Sequence, residues 1–168
     1  AEEGENLPKI IIGSDEYQPY SYYNVDGSPQ GVDVELAREA FRRMGYEPVF
    51  RHMAWEDKDE ALANGEVDCL WSGFMMNGRE DKYTWARLNM FSRLMVVVRA
   101  DSDYADLADL TGCRAAVQAT TWAECLLLQQ ETPNVPKVDS LYSFSTMEEV
   151  LAVMRKGYAD MIVGHECT

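Results

Sequence analysis

The sequence predicts an α/β fold built as two lobes of similar design. Short apolar runs bounded by glycine or charged residues, such as residues 67–71 and 94–98, are typical of strands that are covered on both faces of a parallel sheet. Amphipathic helical patterns separate these runs, and the order of strand, helix and strand indicates βαβ units. The segments GEVDCLWSG and GYADMIVGH each place an Asp and an apolar strand after a helix-ending Gly. We therefore expect two lobes, residues 1–99 and 100–168, joined by a hinge near residues 99–103.

The charge of the chain excludes two classes of partner. Its 168 residues carry 15 Lys and Arg against 29 Asp and Glu, a net charge of −14, and no basic cluster occurs. Nucleic acid and anionic membrane surfaces are therefore not expected to bind it. No segment approaches the roughly 20 apolar residues that a membrane span needs. The polar start AEEGEN lacks the features of a signal peptide, and this alone does not indicate a cytoplasmic location.

The cysteines give no sign of a metal centre. Cys69, Cys113, Cys125 and Cys167 form no CxxC pair and no metal-type spacing with either histidine. We expect no metal or other cofactor, and we expect Cys69 to lie inside a strand. A disulfide between Cys113 and Cys125 remains an alternative if the protein is exported.

The first lobe opens with a β-branched run, KIIIG, which predicts a strand at residues 9–13. In the polar and aromatic loop that follows, Tyr17 and Tyr20 either wall a pocket or pack the loop itself. A turn at NVDG leads to Asp33 as the N-cap of a helix over residues 34–44. The buried stripe of that helix is predicted to comprise Leu36, Ala37, Ala40, Phe41 and Met44.

A strand is expected at residues 48–53, and a polar, helix-prone segment at 56–64. Trp55 lies between them. It is either a core residue at the start of the helix or part of a pocket wall at the carboxyl end of the strand.

The loop after residue 71 is where we expect a ligand. Ser72 and Gly73 follow the strand at 67–71, and ligands of parallel sheets lie beyond the carboxyl ends of the strands. The Ser72 hydroxyl, the backbone N–H groups and the Arg79 guanidinium suit a small anion. The alternative is that Arg79 pairs with Glu80 or Asp81 on a solvated turn.

The second lobe repeats the alternation of helices and strands. Caps are predicted at Thr120 or Thr121 for one helix and at Ser145, with Glu148, for another. The predicted elements are a short helical turn at 104–110, a strand at 114–118, a helix at 122–130, a strand at 138–142, a helix that Gly157 closes and a strand at 158–164. The helix at 122–130 carries Trp122, Cys125, Leu126 and, toward its end, Gln129. The inward face of the later helix is predicted to comprise Met147, Val150, Leu151 and Met154.

Taken in order, these segments resemble the extracytoplasmic solute-binding proteins of the polar amino acid type. The resemblance runs from KIIIGSDEYQPYSYYNVDGSPQGVDVELA through the stretch at Gly65 and the strand RAAVQATT to the final GYADMIVGHE. The phrases GREDKYTWA and FSRLMVVV are similar to a branch often fused to bacterial sensory proteins as an extracellular input domain. The resemblance implies a type II periplasmic-binding-protein fold and an extracytoplasmic location. It also implies an α-amino acid or related zwitterion bound between the lobes, for a membrane permease or a fused sensory module.

The resemblance also implies roles for single residues. Tyr17 and Trp55 would stack on the ligand side chain, while Ser72, Gly73 and the loop to Arg79 would receive its carboxylate. Thr120 and Thr121, at a helix N-terminus, would meet the same carboxylate from the second lobe. The whole candidate set comprises Asp15, Tyr17, Tyr20, Trp55, Ser72, Gly73, Phe74, Arg79, Gln118, Thr120, Thr121, His165 and Glu166.

The chain departs from the family pattern at several of these places. Arg79 falls one residue earlier than the usual carboxylate-binding arginine, and Met75 and Ala119 replace smaller or hydroxyl residues. The acidic position for the ligand ammonium falls on His165, with Glu166 beside it. Either Glu166 takes that task, or the ligand is not an ordinary amino acid, or His165 is a bystander.

The family also has further elements after the strand that ends near Glu166. We therefore expect a truncated form with an incomplete second lobe and no return to the first. Its exposed strand edges would favour homo-oligomers.

The sequence is compatible with three functions. The leading expectation is non-covalent ligand binding that is read out by closure of the lobes. The alternative is a periplasmic enzyme like cyclohexadienyl dehydratase, with Glu166 beside His165 as general acid. We expect no enzyme, because the sequence has no nucleophile motif, metal set or Gly-rich phosphate loop. A fragment that serves only in oligomerisation is the third.

Overall fold

The computed structural model describes residues 7–86, 90–129 and 132–166. It confirms the α/β class. The chain forms two compact units, Ala1–Phe74 and Met75–Thr168. The elements of the described residues are β1 (Lys9–Ser14), β2 (Tyr22–Tyr23), β3 (Pro29–Gln30), α1 (Val32–Arg43), β4 (Glu47–His52), α2 (Lys58–Ala63), β5 (Cys69–Leu70), β6 (Leu94–Val98), β7 (Arg114–Gln118), α3 (Trp122–Gln129), β8 (Ser140–Phe144), α4 (Met147–Arg155) and β9 (Met161–His165).

The first unit is built on a parallel sheet with the strand order β4-β1-β5. Strand β1 lies in the middle, with Lys9 opposite Glu47 and Ser14 opposite His52. Its central residue Ile12 is fully buried and shares the core of this unit with Val34 and Val67. Because all three strands are parallel, their carboxyl ends lie at one edge of the sheet. The strand predicted at residues 67–71 is shorter than expected, since only β5 pairs regularly.

Helix α1 begins earlier than predicted, and its N-cap is Gly31 rather than Asp33. The N–H groups of Val32 and Asp33 donate to the carbonyl oxygens of Pro19 and Tyr20, at 3.2 and 2.9 Å. The preceding loop thus satisfies donors that a side-chain cap would otherwise bind. Asp33 is buried inside the first turn instead, and burial raises the pKa of its carboxyl.

The buried stripe of α1 also differs from the prediction. Val34 and Ala37 are buried, whereas Leu36 and Met44 are exposed. Ala40 and Phe41 are half-buried. The buried face of α1 is therefore displaced around the helix axis from the predicted one, and it includes Asp33, one turn before Ala37.

The second unit is built on a four-stranded sheet with the order β6-β9-β7-β8. Strands β9, β7 and β8 run parallel, while β6 pairs antiparallel with β9 from Leu94 opposite His165 to Val98 opposite Met161. One core of this unit joins Leu110, Val117, Leu127 and Met161, all of which are buried.

This pairing places the β6 strand in a different unit from the one that the sequence predicted. We expected a first lobe of residues 1–99, but β6 bonds to β9 along its whole length and the compact units divide after Phe74. The apolar run at 94–98 predicts a strand, but it does not indicate which sheet that strand joins. The segment at 99–103 is a turn in which Arg99 contacts Asp101 at 2.7 Å. A hinge there remains a prediction.

The helices of the second unit agree with the prediction apart from shifts of a residue or a face. Helix α4 is capped by Thr146 with Glu149, one residue after the predicted Ser145 and Glu148. The sequence of both pairs fits the capping box. The helix buries Met147, Val150 and Met154, which are three of the four residues predicted to face inward. Helix α3 buries Ala123 and Leu127. The residues that the sequence analysis named on this helix are half-buried or exposed: Trp122, Cys125, Leu126 and Gln129. Gln130, the predicted last residue of this helix, lies outside the described residues.

The strands that flank α4 are shifted toward the carboxyl end. Strand β8 begins at Ser140 and β9 at Met161, two and three residues after the predicted starts at 138 and 158. Asp139 and Asp160 precede these strands, and their N–H groups donate to the carbonyl oxygens of Cys113 and Arg114.

The cysteines in the described residues form no disulfide. Cys113 is buried in the core of the second unit and Cys125 is half-buried on α3, so the alternative disulfide is absent. Cys69 lies in β5 as predicted, while Cys167 lies outside the described residues. Among the helices in the described part of the chain, none is long and apolar enough to cross a membrane.

Candidate functional site

Three loops meet at the carboxyl edge of the first sheet. Asp15 follows β1, Trp55 comes three residues after β4, and Ser72 comes two residues after β5. The Ser72 hydroxyl donates a hydrogen bond of 2.7 Å to Oδ1 of Asp15, whose carboxylate is buried. Two of the predicted site residues are therefore joined directly, and this bond fixes the direction of the Ser72 hydroxyl.

Aromatic rings cover the same edge. Trp55 and Phe74 pack edge to face, with ring centroids 5.0 Å apart and planes at 89°. The Tyr17 and Tyr20 rings lie 6.3 Å apart, and the N–H groups of Tyr20 and Ser21 donate to the carbonyl oxygen of Tyr17. Trp55 is 5% exposed and starts a single turn of 3-10 helix, Trp55–Asp57, so it is a packed residue at a helix start. A further role of these rings as pocket wall remains a prediction.

The sequence reasoning missed one residue of this edge, Lys58. Its side chain is buried, and its ammonium donates to the carbonyl oxygen of Trp55 at 3.1 Å. The same ammonium lies 5.2 Å from the centroid of the Trp55 ring and 5.9 Å from that of Phe74. The signal was present in the sequence, because a lysine three residues after a tryptophan on a helix reaches back over the ring.

In the second unit, Arg79 lies against the start of α3. Its Nη2 donates to the carbonyl oxygen of Thr120 at 2.8 Å, and its Nη1 donates to that of Met75 at 3.4 Å. Gly78 allows this approach, because a Cβ at that position would lie 2.6 Å from the Trp122 ring. The guanidinium is therefore directed toward Thr120, one of the residues that the sequence grouped with it.

The two threonines differ in role. Thr121 caps α3, since its hydroxyl accepts from the N–H of Glu124 at 3.4 Å and donates to the carbonyl oxygen of Gln118 at 2.7 Å. Thr120 has a positive φ of 58°, and its N–H donates to the Glu124 carboxylate at 2.6 Å. The Ser143 hydroxyl donates to the same carboxylate. Glu124 thus supplies an internal anion at the helix start where a ligand carboxylate was expected.

Gln118 and His165 end the neighbouring strands β7 and β9. The buried Gln118 amide donates to the carbonyl oxygen of Ser145 at 3.2 Å. The Nδ1 atom of His165 lies 3.0 Å from the Ser92 hydroxyl. Burial lowers the pKa of His165, so its imidazole is neutral at neutral pH.

Glu166 is engaged away from this group. Its Oε2 accepts hydrogen bonds from Nε and Nη2 of Arg93, at 2.9 and 2.8 Å. This ion pair lowers the pKa of the Glu166 carboxyl. The carboxylate is therefore ionised and already has a cationic partner.

The candidates thus fall into two sets, one in each unit. The first set lies at the carboxyl edge of the first sheet and comprises Asp15, Tyr17, Tyr20, Trp55, Ser72, Gly73 and Phe74. The second set comprises Arg79, Gln118, Thr120, Thr121, His165 and Glu166. In the described residues no cluster of three or more His, Cys, Asp or Glu has the arrangement of a metal site.

The family resemblance is confirmed by comparison with known proteins. A family model described as bacterial extracellular solute-binding proteins, family 3, matches residues 10–163. A relative in Bacillus subtilis (strain 168), the probable ABC transporter extracellular-binding protein YckB, is 29% identical over 162 residues. That match covers 92% of this chain and 55% of the relative, so the chain spans about half the length of this relative.

Solved structures confirm the fold. The crystal structure of Tv2483 bound to L-arginine has a TM-score of 0.85 and 27% identity, over 94% of this chain and 65% of that one. The ancestral amino acid-binding protein AncCDT-1, a precursor of cyclohexadienyl dehydratase, has a TM-score of 0.83 and 24% identity. That match covers 94% of this chain and 71% of the other.

Proposed function

Because this chain belongs to the bacterial extracellular solute-binding proteins of family 3, we propose that it binds a small amino acid or related zwitterion. Binding is non-covalent and extracytoplasmic, and it serves uptake through an ABC permease or the input of a fused sensory module. Tv2483, a protein of like fold, is bound to L-arginine in its crystal structure, which supports this class of ligand.

The observation that carries the proposal is the grouping of polar and aromatic residues at the carboxyl edge of the first sheet. Asp15 and Ser72 are hydrogen-bonded there, beside the packed rings of Trp55 and Phe74. Ligands of open parallel sheets bind at this edge, and rigid rings with a few fixed polar groups are the usual lining of a small-molecule site. The Asp15–Ser72 pair and the Trp55 and Phe74 rings together offer the polar and apolar contacts that an amino acid ligand needs.

Arg79 is the proposed anchor for the ligand carboxylate. Its guanidinium lies at the start of α3, where the helix dipole also favours an anion. Thr120 and Thr121 belong to the same anion site, in which the ligand carboxylate would take the place of the Glu124 carboxylate on the Thr120 N–H. Gln118 and His165 contribute polar but uncharged contacts. Glu166 is no counter-ion for the ligand ammonium in this proposal, because Arg93 holds its carboxylate.

A ligand-binding experiment on the chain tests this function. Calorimetric titration with the standard amino acids is expected to show one class that binds and raises the melting temperature. Arg79→Ala should weaken that ligand at least tenfold, since it removes a charge-assisted bond to the carboxylate. The matched control is Arg155→Ala, which removes an exposed arginine from the last turn of α4. Unchanged affinity in Arg79→Ala would refute the anchor, and binding of no amino acid would refute the function.

We infer that the chain is not a dehydratase. A general acid must be protonated at working pH, whereas Arg93 lowers the pKa of Glu166 and keeps it ionised. The likeness to AncCDT-1 supports the shared fold alone. The test is turnover of a cyclic prephenate-like acid, and activity that Glu166→Gln abolishes while binding persists would overturn this inference.

The assembly of the chain is a separate proposal. Strands β6 and β8 form the edges of the second sheet, and unpaired edges invite pairing with another copy. The solution mass, measured by light scattering, is expected to show a homo-oligomer. A monomer at all concentrations would refute it.

A further inference from the structure

Trp85 closes the loop that carries Arg79. Its indole Nε1 donates a hydrogen bond of 3.1 Å to the carbonyl oxygen of Arg79, six residues earlier. The N–H of Lys82 donates to the same oxygen at 3.0 Å, and the N–H of Arg79 donates to the carbonyl oxygen of Met76 at 2.9 Å. Both backbone polar groups of Arg79 are therefore held by other parts of this loop.

The Trp85 ring has a fixed place in the loop. It is half-buried and packs edge to face on the Tyr83 ring, with centroids 5.4 Å apart and planes at 74°. An indole N–H can only donate, and it usually finds an acceptor when the ring is packed. Ring packing and the hydrogen bond together fix the indole against the Arg79 carbonyl group.

The position of this backbone decides where the long Arg79 side chain can reach. Its guanidinium donates to the carbonyl oxygens of Thr120 and Met75, at 2.8 and 3.4 Å, and so lies at the start of α3. In the same loop, Gly78 lies where a Cβ would be 2.6 Å from the Trp122 ring, so the loop is closely packed on α3. A charge-assisted bond between a guanidinium and a carboxylate depends on such geometry, and a looser loop would form it less well.

We propose that Trp85 is a positioning residue that acts on ligand binding through Arg79. Its indole N–H holds the Arg79 backbone, so the guanidinium is already at the start of α3 when a ligand carboxylate arrives. This reduces the ordering that binding would otherwise require. The inference rests on the proposed function, because it takes Arg79 as the anchor of that carboxylate.

Calorimetric titration of the whole chain tests this role. The probes are the standard L-amino acids, and the strongest binder among them is then compared with its own α-carboxamide, which lacks the charged carboxylate. The variants are Trp85→Phe, which removes the indole N–H and keeps an aromatic ring, Arg79→Ala, and the two combined. The matched control is Tyr158→Phe, which removes a polar group from an exposed aromatic residue of the second unit.

Trp85→Phe should weaken binding of the amino acid by about fivefold, which corresponds to the net strength of one hydrogen bond, and should leave the affinity for the α-carboxamide unchanged. In the Arg79→Ala background the same substitution should change neither affinity, because the two residues act through one contact. Tyr158→Phe should bind both compounds as the wild type does. In NMR of the wild type, the Trp85 indole proton should exchange with solvent more slowly when the amino acid is bound than when the α-carboxamide is bound.

Several results would overturn the inference and leave amino acid binding intact. They are full affinity in Trp85→Phe, an equal loss for the amino acid and its α-carboxamide, and a loss that persists in the Arg79→Ala background. If Trp85→Phe does not fold, the wild-type NMR comparison decides, and equal exchange rates would overturn the inference. Full affinity in Arg79→Ala would instead refute the anchor, and binding of no standard amino acid would refute the proposed function, and this inference would fall with either.

Discussion

Replacement of Gly31 by alanine is expected to destabilise the first unit far more than a surface change of the same kind. Gly31 has φ 118° and ψ 170°, a backbone region that is accessible almost only to glycine. A Cβ there would lie 2.2 Å from the carbonyl oxygen of Tyr20. The neighbouring atom is backbone, so no side-chain rotation relieves the contact.

The size of the effect follows from two contributions. The backbone region costs a residue with a side chain about 1–3 kcal/mol. A Cβ at Gly31 would also lie 2.9 Å from the Pro19 carbonyl oxygen. Moving the Pro19 and Tyr20 carbonyls away breaks the bonds that they accept from Val32 and Asp33, at about 1 kcal/mol each. Gly31→Ala should therefore lower the free energy of unfolding by about 3–5 kcal/mol. It should also weaken ligand binding, because the same loop carries Asp15 and Tyr17.

The assay is urea unfolding followed by far-UV circular dichroism, with Gly27→Ala as control. Gly27 also has a positive φ, 79°, but a Cβ there meets nothing within 4 Å. The control isolates the backbone strain, about 1 kcal/mol. An equal shift of the urea midpoint in Gly31→Ala and Gly27→Ala would refute this reasoning. It would mean that the contact between the loop and the start of α1 does not contribute to stability.

Val150→Ala removes a fully buried side chain from α4 and should cost about 2 kcal/mol in chemical denaturation, whereas Val25→Ala at an exposed position should cost almost nothing. Burial, with a smaller contribution from the Asp68 charge, raises the pKa of Cys69 to about 11. Alkylation of this thiol by iodoacetamide at pH 8 should therefore be much slower in the folded chain than in urea. Equal rates in a mass-spectrometric time course would contradict this prediction. Hydrogen bonds from Arg114 lower the pKa of the Asp160 carboxyl below its ordinary value of 3.8. In acid the unfolded chain therefore binds more protons than the folded chain. The stability that this pair contributes is lost as the pH falls from 3.8 toward the pKa of Asp160 in the folded chain. Asp160→Asn should therefore flatten the acid limb of thermal stability, and an unchanged limb would rule out this contribution.

Elements with a strong local pattern could be predicted from the sequence. Strands β1 and β6 follow apolar runs, and the predicted residues 94–98 match β6. Helix α4 carries three inward residues at helical spacing and a capping box, so only the choice between Ser145 and Thr146 was wrong. Such patterns act within one element, which is why sequence alone reveals them.

What depends on distant contacts could not be predicted. Gly31 caps α1 because a loop eleven or more residues earlier offers its carbonyl groups. For Lys58, the spacing to Trp55 indicates one ring contact, but nothing in its own helix indicates the Phe74 ring from a later loop. The carboxylate of Glu124 at the start of α3 is likewise fixed by Ser143, from another strand. In each case the partner is brought by the fold.

The position of β9 in the second sheet has a consequence for the order of folding. It is the latest strand of that sheet in the chain, yet it lies between β6 and β7. During synthesis β6, β7 and β8 emerge before the strand that joins β6 to the others, whereas the three described strands of the first sheet have all emerged with β5. The first unit should therefore resist proteolysis on the ribosome while the second is still digested. Nascent chains stalled before and after β9, probed by limited proteolysis, would show protection of the second unit only in the longer chain.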